Sequence, residues 1–143
     1  MIFRKQRNSE KYFPLPNCIF NLGLSAGEIS MYSYLMCCEN RKTYQCHPSY
    51  SIIGNAIGLS KNTVKKYVDM LVKKELICTE QTTIKLKSGA IHNGNLLYTI
   101  RPIQDAVDYY DKQQMLQLQI ESARIRAQKA IEGYDQKHRK DVI

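Results

Sequence analysis

The middle of the chain, PSYSIIGNAIGLSKNTVKKYVDMLVKKELI from Pro48 to Ile77, leaves little freedom in how it folds. Ser49 can accept a hydrogen bond from an early backbone N–H and so cap a helix whose inward residues are Ile52, Ile53, Ala56 and Ile57. Gly58 suits the left-handed position that ends such a helix after about two turns. Beyond Leu59, Ser60 repeats the capping chemistry. Val64, Tyr67, Val68, Leu71 and Val72 then recur at three- and four-residue spacing as far as about Lys74, which makes the inner stripe of a second helix. Two short helices joined by Gly58-Leu59-Ser60 form a helix-turn-helix.

The flanks extend this motif in both directions. YFPLPNCIFNL, from Tyr12 to Leu22, holds two prolines one residue apart, and the spacing predicts an extended path rather than a helix. Ser25-Ala26-Gly27-Glu28 reads as a capping box, followed by a helix from Ala26 to Glu39 with Ile29, Tyr32, Leu35 and Met36 on its inner face. Arg41 to Cys46 is enough for a brief strand. ICTEQTTIKL, from Ile77 to Leu86, and LLYTI, from Leu96 to Ile100, are rich in residues that favour strands, and KSGAIHNGN between them predicts an open hairpin tip. Past Pro102 a helix-forming run continues from Ile103 to about Gly133.

Together these elements predict a mainly α fold of the α+β class, a winged helix-turn-helix with a small β-hairpin and a long C-terminal helix. Residues 1–12 read as a flexible basic arm, 13–102 as the winged domain and 103–143 as a helix for dimerisation or packing. No stretch approaches the ~18 apolar residues of a membrane helix, and the first residues lack the apolar run of a secretory signal, so a cytoplasmic location is expected, with no membrane contact.

The formal net charge of +8 is unevenly spread. Residues 60–102 carry eight Lys or Arg against Asp69, Glu75 and Glu80, residues 1–24 carry Arg4, Lys5, Arg7 and Lys11 against Glu10, and residues 103–143 balance seven of each sign. A surplus confined to part of a chain is the footprint of a polyanionic partner, because each neutralised phosphate releases counterions. The outward face of the second helix of the motif consists of Lys61, Asn62, Lys65, Lys66 and Asp69. Lysine pairs with phosphate or guanine, asparagine with adenine, and the Ser49 and Ser60 helix starts present hydroxyls and amides to phosphate. An isolated basic helix of this kind is more often only a solvated face. Its position after a capped helix and a glycine turn tips the reading towards double-stranded DNA.

Other features leave two readings open. Lys85 and Lys87 near the hairpin tip, with His92, either touch phosphate or only keep an exposed hairpin soluble. Arg4, Lys5 and Arg7 either enter a minor groove or belong to an ordinary ragged terminus. In the tail, Tyr109, Leu116, Ile120, Ala123, Ala127, Ala130 and Tyr134 follow near-heptad steps, with Gln113 in the missing place, as in a homodimeric coiled coil. The competing reading lays the same helix along its own domain through Ile103, Val107 and Tyr110.

Catalysis finds no parts. The histidines are His47, His92 and His138, with no Gly-rich phosphate loop and no paired carboxylates beside a nucleophile, so no enzyme activity and no cofactor are expected. Five cysteines (Cys18, Cys37, Cys38, Cys46, Cys78) lack a disulfide framework, and Cys46 with His47 is too little for a zinc site. Buried, reduced thiols are expected.

The Pro-Ser start, Ala-Ile-Gly-Leu-Ser turn, Thr-Val helix and Leu-Ile strand resemble the bacterial winged helix-turn-helix pattern. With Phe13, Pro16, Asn17, Phe20 and the Leu-Ser-Ala helix start, the chain is similar to the amino-terminal domain of replication initiator proteins from plasmids and integrative elements of Gram-positive bacteria. That resemblance implies sequence-specific DNA binding in replication initiation, with Lys61, Asn62, Thr63, Lys65 and Lys66 as recognition positions. A transcriptional regulator on an operator is the alternative, and a winged-helix module for protein contacts is a second. Nothing is carried over to the tail from Ile103.

Overall fold

Three serines start three helices. Ser25, Ser49 and Ser60 each hold an extended backbone with φ of −71° and accept a hydrogen bond from the amide three residues on, those of Glu28, Ile52 and Thr63. Each cap satisfies an amide that the helical ladder leaves without a partner. The helices are α1 (Ala26–Cys38), α2 (Tyr50–Ile57) and α3 (Lys61–Lys73). Glu28 completes the capping box by accepting from the Ser25 amide at 3.2 Å.

The computed structural model describes residues 11–140, without the Lys140 side chain. Arg4, Lys5 and Arg7 of the basic arm lie outside the described residues. Strands β1 (Gln45–Cys46), β2 (Ile77–Lys85) and β3 (Ile91–Ile100) form one antiparallel sheet in the order β1-β3-β2. Ile77 pairs with Ile100 and Cys46 with Tyr98, so the inner ends of the strands close on the helices. The last helix, α4, runs from Ile103 to Lys140. The architecture is the expected α+β winged helix-turn-helix with a long C-terminal helix.

The core draws one or more residues from every element of the first 107 positions. Ile19, Met31, Leu35, Ile53, Val64, Leu71, Ile77 and Tyr98 have no solvent exposure, and Ala106 brings the first turn of α4 into the same core. Two compact units divide within α4, one ending at Val107 and the other beginning at Asp108. The second unit is a single helical stretch whose side chains are exposed from Asp111 to Arg139. Among the described residues, no helix is long and apolar enough to cross a membrane.

Several local expectations are corrected. Instead of a continuous extended path, Asn17–Asn21 forms a 3-10 helix, with the Ile19 amide bonded to the Pro16 carbonyl at 3.1 Å. A proline restrains the residue before it, and this turn lies after both prolines. On α1 the buried residues are Glu28, Met31, Tyr32 and Leu35, while Ile29 and Met36 are only half-buried. That helix is apolar almost all round, so its periodicity did not select a face. On α2, Ile53 and Gly54 are buried, whereas Ile52 and Ala56 are exposed, because two turns leave room for only one narrow contact row.

Val72 on α3 is also exposed rather than inward. It lies close to three full turns after Lys61, on the outward side of the stripe. The hairpin is tighter and longer than expected. Strand β3 begins at Ile91, and the tip is a turn in which the Leu86 amide bonds the Ala90 carbonyl at 2.8 Å and the Gly89 amide bonds the Leu86 carbonyl at 2.9 Å. Cross-strand pairing overrides the loop-forming character of His92-Asn93-Gly94-Asn95. Similarly, α4 passes through Gly133, where one glycine in a long helix costs only about 1 kcal/mol. Among the thiols only Cys46 is buried; Cys37, Cys38 and Cys78 are exposed.

Candidate nucleic-acid interface

The turn between α2 and α3 aims the rest of the site. Gly58 ends α2 at φ 73° and ψ 35°, the left-handed conformation that glycine adopts without steric cost. The Leu59 amide returns to the Gly54 carbonyl at 2.9 Å, so the chain folds back tightly over Gly54. A Cβ at position 54 would lie 2.3 Å from the Leu59 carbonyl oxygen, so the close turn depends on that glycine too. At the far end of α3 a Lys74–Glu28 ion pair of 2.7 Å ties the helix to α1. Lys74 is therefore engaged within the protein and does not join the exposed basic face.

Of the residues singled out in the sequence, Lys61, Asn62, Lys65, Lys66 and Asp69 are all exposed, while Val64, Val68 and Leu71 of the same helix are buried. The periodicity thus separates a polar face from a core face as expected. Ser60 and Thr63 work differently. Their hydroxyls lie 2.9 Å apart, and Ser60 Oγ also accepts from the Thr63 amide, so both side chains are spent on the helix start. Ser49 is used in the same way at α2, where its Oγ accepts from the Ile52 amide at 3.1 Å.

A cleft of about 320 Å³ lies between the start of α2, the start of α3 and β3, lined by Ser49, Tyr50, Lys61, Asn93, Asn95 and Tyr98 among others. The Asn95 amide group donates to the His47 carbonyl at 3.2 Å and so fixes β3 against the segment that enters α2. The Tyr98 ring is fully buried beneath this cleft, and its hydroxyl has no hydrogen-bond partner among the described residues. Burial, followed by the neighbouring Tyr50 and Cys46, pushes the phenol well above its ordinary pKa, so it remains a proton donor at any physiological pH. Tyr50, Asn93, Asn95 and Tyr98 escaped the sequence reading because strand and cap residues carry no local mark of a shared cleft.

On the wing, Lys85 and Lys87 are exposed as expected, and beside them Ile84, Leu86 and Ile91 are exposed apolar residues. His92 lies within β3 opposite Ile84, not at the tip. The pairing slips between Gln81 and Thr83, and the Gln81 side chain donates to the Gly94 carbonyl at 2.8 Å across the irregularity. No group of three His, Cys, Asp or Glu side chains that would hold a metal occurs among the described residues.

Residues 22–77 match the model of a helix-turn-helix domain family. The match begins just before α1 and ends on the first residue of β2, so the helix-turn-helix proper lies inside it, and most of the wing and all of α4 lie outside. No curated protein matches the chain. Among solved structures, one described as a "Possible transcriptional regulator from Methanosarcina mazei Go1" is similar at 16% identity with a TM-score of 0.46, covering 70% of this chain and 78% of its own.

Proposed function

We propose that the chain is a sequence-specific double-stranded DNA-binding protein that sets α3 in the major groove and its wing against the flanking backbone. The observation that carries this reading is the outward face of α3, where Lys61, Asn62, Lys65 and Lys66 are exposed together on the second helix of the motif. Lysines there reach phosphate or guanine and Asn62 reaches adenine. The Lys61 and Asn62 amides at the start of α3, without partners in the helical ladder, add a seat for phosphate. Ser49, Ser60 and Thr63 support the interface by holding the two helix starts, and Lys85 and Lys87 extend its positive charge along the wing.

Within that function we favour an initiator-like or accessory role at an origin of a mobile element, on the resemblance of the entry segment; operator binding by a transcriptional regulator fits the same surface. A role confined to protein contacts is disfavoured by the net positive charge of the face, three lysines against Asp69. Pairing of two copies through α4 would place two domains on one site, and the exposure of Leu116 and Ile120 along that helix supports it. No enzyme activity is proposed.

Selection of bound sequences from random DNA, followed by affinity measurements at several salt concentrations, tests the proposal. A defined site is expected, with a log–log salt slope of roughly −4 to −6 per protomer, about −0.9 for each phosphate neutralised. Direct repeats in the selected sites support the initiator role, and inverted repeats support an operator. No enriched sequence, or a flat salt response, would sink DNA binding itself.

A further inference from the structure

Away from the α3 face, a second cleft of about 400 Å³ opens at the far end of α1. Its walls are mainly apolar and aromatic, with Tyr32, Met36, Tyr44, Ile100 and Ile103, and two charged residues, Glu39 and Arg101, complete the lining. That volume falls within the range of small-molecule sites, roughly 300–1,000 Å³. None of the lining side chains belongs to the proposed DNA contacts.

Glu39 is unusually placed for a carboxylate. It is the C-cap of α1, where the carbonyl end of the helix already disfavours negative charge. One of its oxygens, Oε2, is sealed from solvent and has no hydrogen-bond partner among the described residues. Two cations are near, and both are directed elsewhere. Arg41 donates to the Tyr12 carbonyl at 3.1 Å, and Arg101 pairs with Asp105 at 3.3 Å. An acceptor sealed in this way is costly unless something supplies charge or a donor.

Two tyrosines share the cleft with this carboxylate. Tyr44 holds φ at 59°, a left-handed conformation that costs a tyrosine about 1–2 kcal/mol. Two backbone bonds keep it there, from its own amide to the Asn40 carbonyl at 2.6 Å and from the Ile100 amide to its carbonyl at 2.9 Å. The strained residue, 57% exposed, lines the edge of the cleft. Strain maintained by surrounding structure is characteristic of binding sites. A carboxylate that shares a cleft with two tyrosines and a thioether is a composition suited to an organic ammonium group.

We infer that the cleft bounded by Tyr32, Glu39 and Tyr44 binds a small organic cation, an amine or quaternary ammonium on an apolar body, with Glu39 as counter-ion and Tyr44 as the ring at its edge. The reading is independent of DNA recognition, since it uses no residue of the α3 face and, of the wing strands, only Ile100 at the inner end of β3. In chemical terms the ligand offers one positive charge and a flat or branched apolar group, and no bond is made or broken.

The test uses the full-length protein with benzylamine, which is cationic at neutral pH, and benzyl alcohol, its neutral counterpart. Binding is followed by amide chemical shifts and by the rise in melting temperature with ligand concentration. Benzylamine is expected to perturb the resonances of Tyr32, Glu39, Tyr44 and Ile103 and to bind at least tenfold more tightly than benzyl alcohol. Glu39→Gln should weaken benzylamine at least tenfold and leave benzyl alcohol unchanged, and Tyr44→Ala should weaken both. Equal binding of the two probes by the wild-type protein overturns the proposal, with no reliance on any variant folding. So does undiminished benzylamine binding by a folded Glu39→Gln protein. A capped lysine peptide that binds the cleft more tightly than benzylamine would transfer the site to a partner protein's side chain and overturn the small-ligand assignment.

Discussion

At the scale of single residues, the proposed interface separates side chains that touch phosphate from side chains that read bases. Lys65→Ala should flatten the salt dependence of DNA binding by about one unit of slope if its ammonium meets phosphate. Asn62→Ala should leave the slope unchanged, cost about 1–3 kcal/mol on the selected site and relax choice at one base pair. Affinity titrations at four salt concentrations, on the selected site and its single-base variants, distinguish the two. Glu39 gives a different prediction, in stability. Burial holds its carboxyl above the ordinary range, and the nearby Arg41 only partly offsets this. A raised acid binds its proton more tightly in the folded state, so stability is greatest below the unfolded carboxylate pKa, near 4, and falls as pH rises through the folded value. Glu39→Gln cannot ionise and should escape that fall. Thermal melts should show it more stable than wild type at pH 7 and equal to it below about pH 4; a variant less stable at neutral pH would contradict the desolvation argument.

At the scale of elements, the turn between α2 and α3 depends on the absence of a Cβ at Gly54 as much as on the left-handed Gly58. Alanine at a helical glycine normally gains about 1 kcal/mol. At position 54 the new carbon would stand 2.3 Å from a backbone oxygen, and relieving such overpacking typically costs about 1–3 kcal/mol. Gly54→Ala should therefore be destabilising by about 1 kcal/mol net, seen as a lower urea midpoint, and should weaken DNA binding by reorienting α3. Gly133 is the internal comparison, since nothing lies within 4 Å of a Cβ placed there. Gly133→Ala should increase helicity and leave DNA affinity of a single domain unchanged.

For the whole molecule, the question is what α4 adds to the winged domain. A chain ending at Val107 keeps the buried Ala106 and loses seven Lys or Arg and six Asp or Glu. Removing nearly balanced charge should barely alter the salt slope of one domain on a half-site. If α4 joins two copies, sedimentation should show the full-length protein as a dimer and the shortened one as a monomer, with a loss of affinity confined to two-half-site DNA. A shortened protein that binds the full site as tightly and cooperatively as the intact chain would refute pairing through α4.

Local chemistry was legible in the residues themselves. The caps at Ser25, Ser49 and Ser60 and the turn at Gly58 involve partners within four residues, and the alternation of Lys65 and Lys66 with Val64 and Val68 is a property of one helix. Such features need no distant contact to be specified, so the helix-turn-helix and its basic face could be read directly. Tertiary structure decided whatever involved a choice among nearly equivalent surfaces. The inward face of α1, whose apolar residues spread round most of the helix, the outward turn of Ile52 and Val72, and the extension of β3 through His92-Asn93-Gly94-Asn95 all follow from which neighbour is available to pack or pair. The Tyr98 hydroxyl and Glu39 Oε2, without partners among the described residues, belong to the same class, because satisfaction of a buried polar group depends on residues far away in the chain.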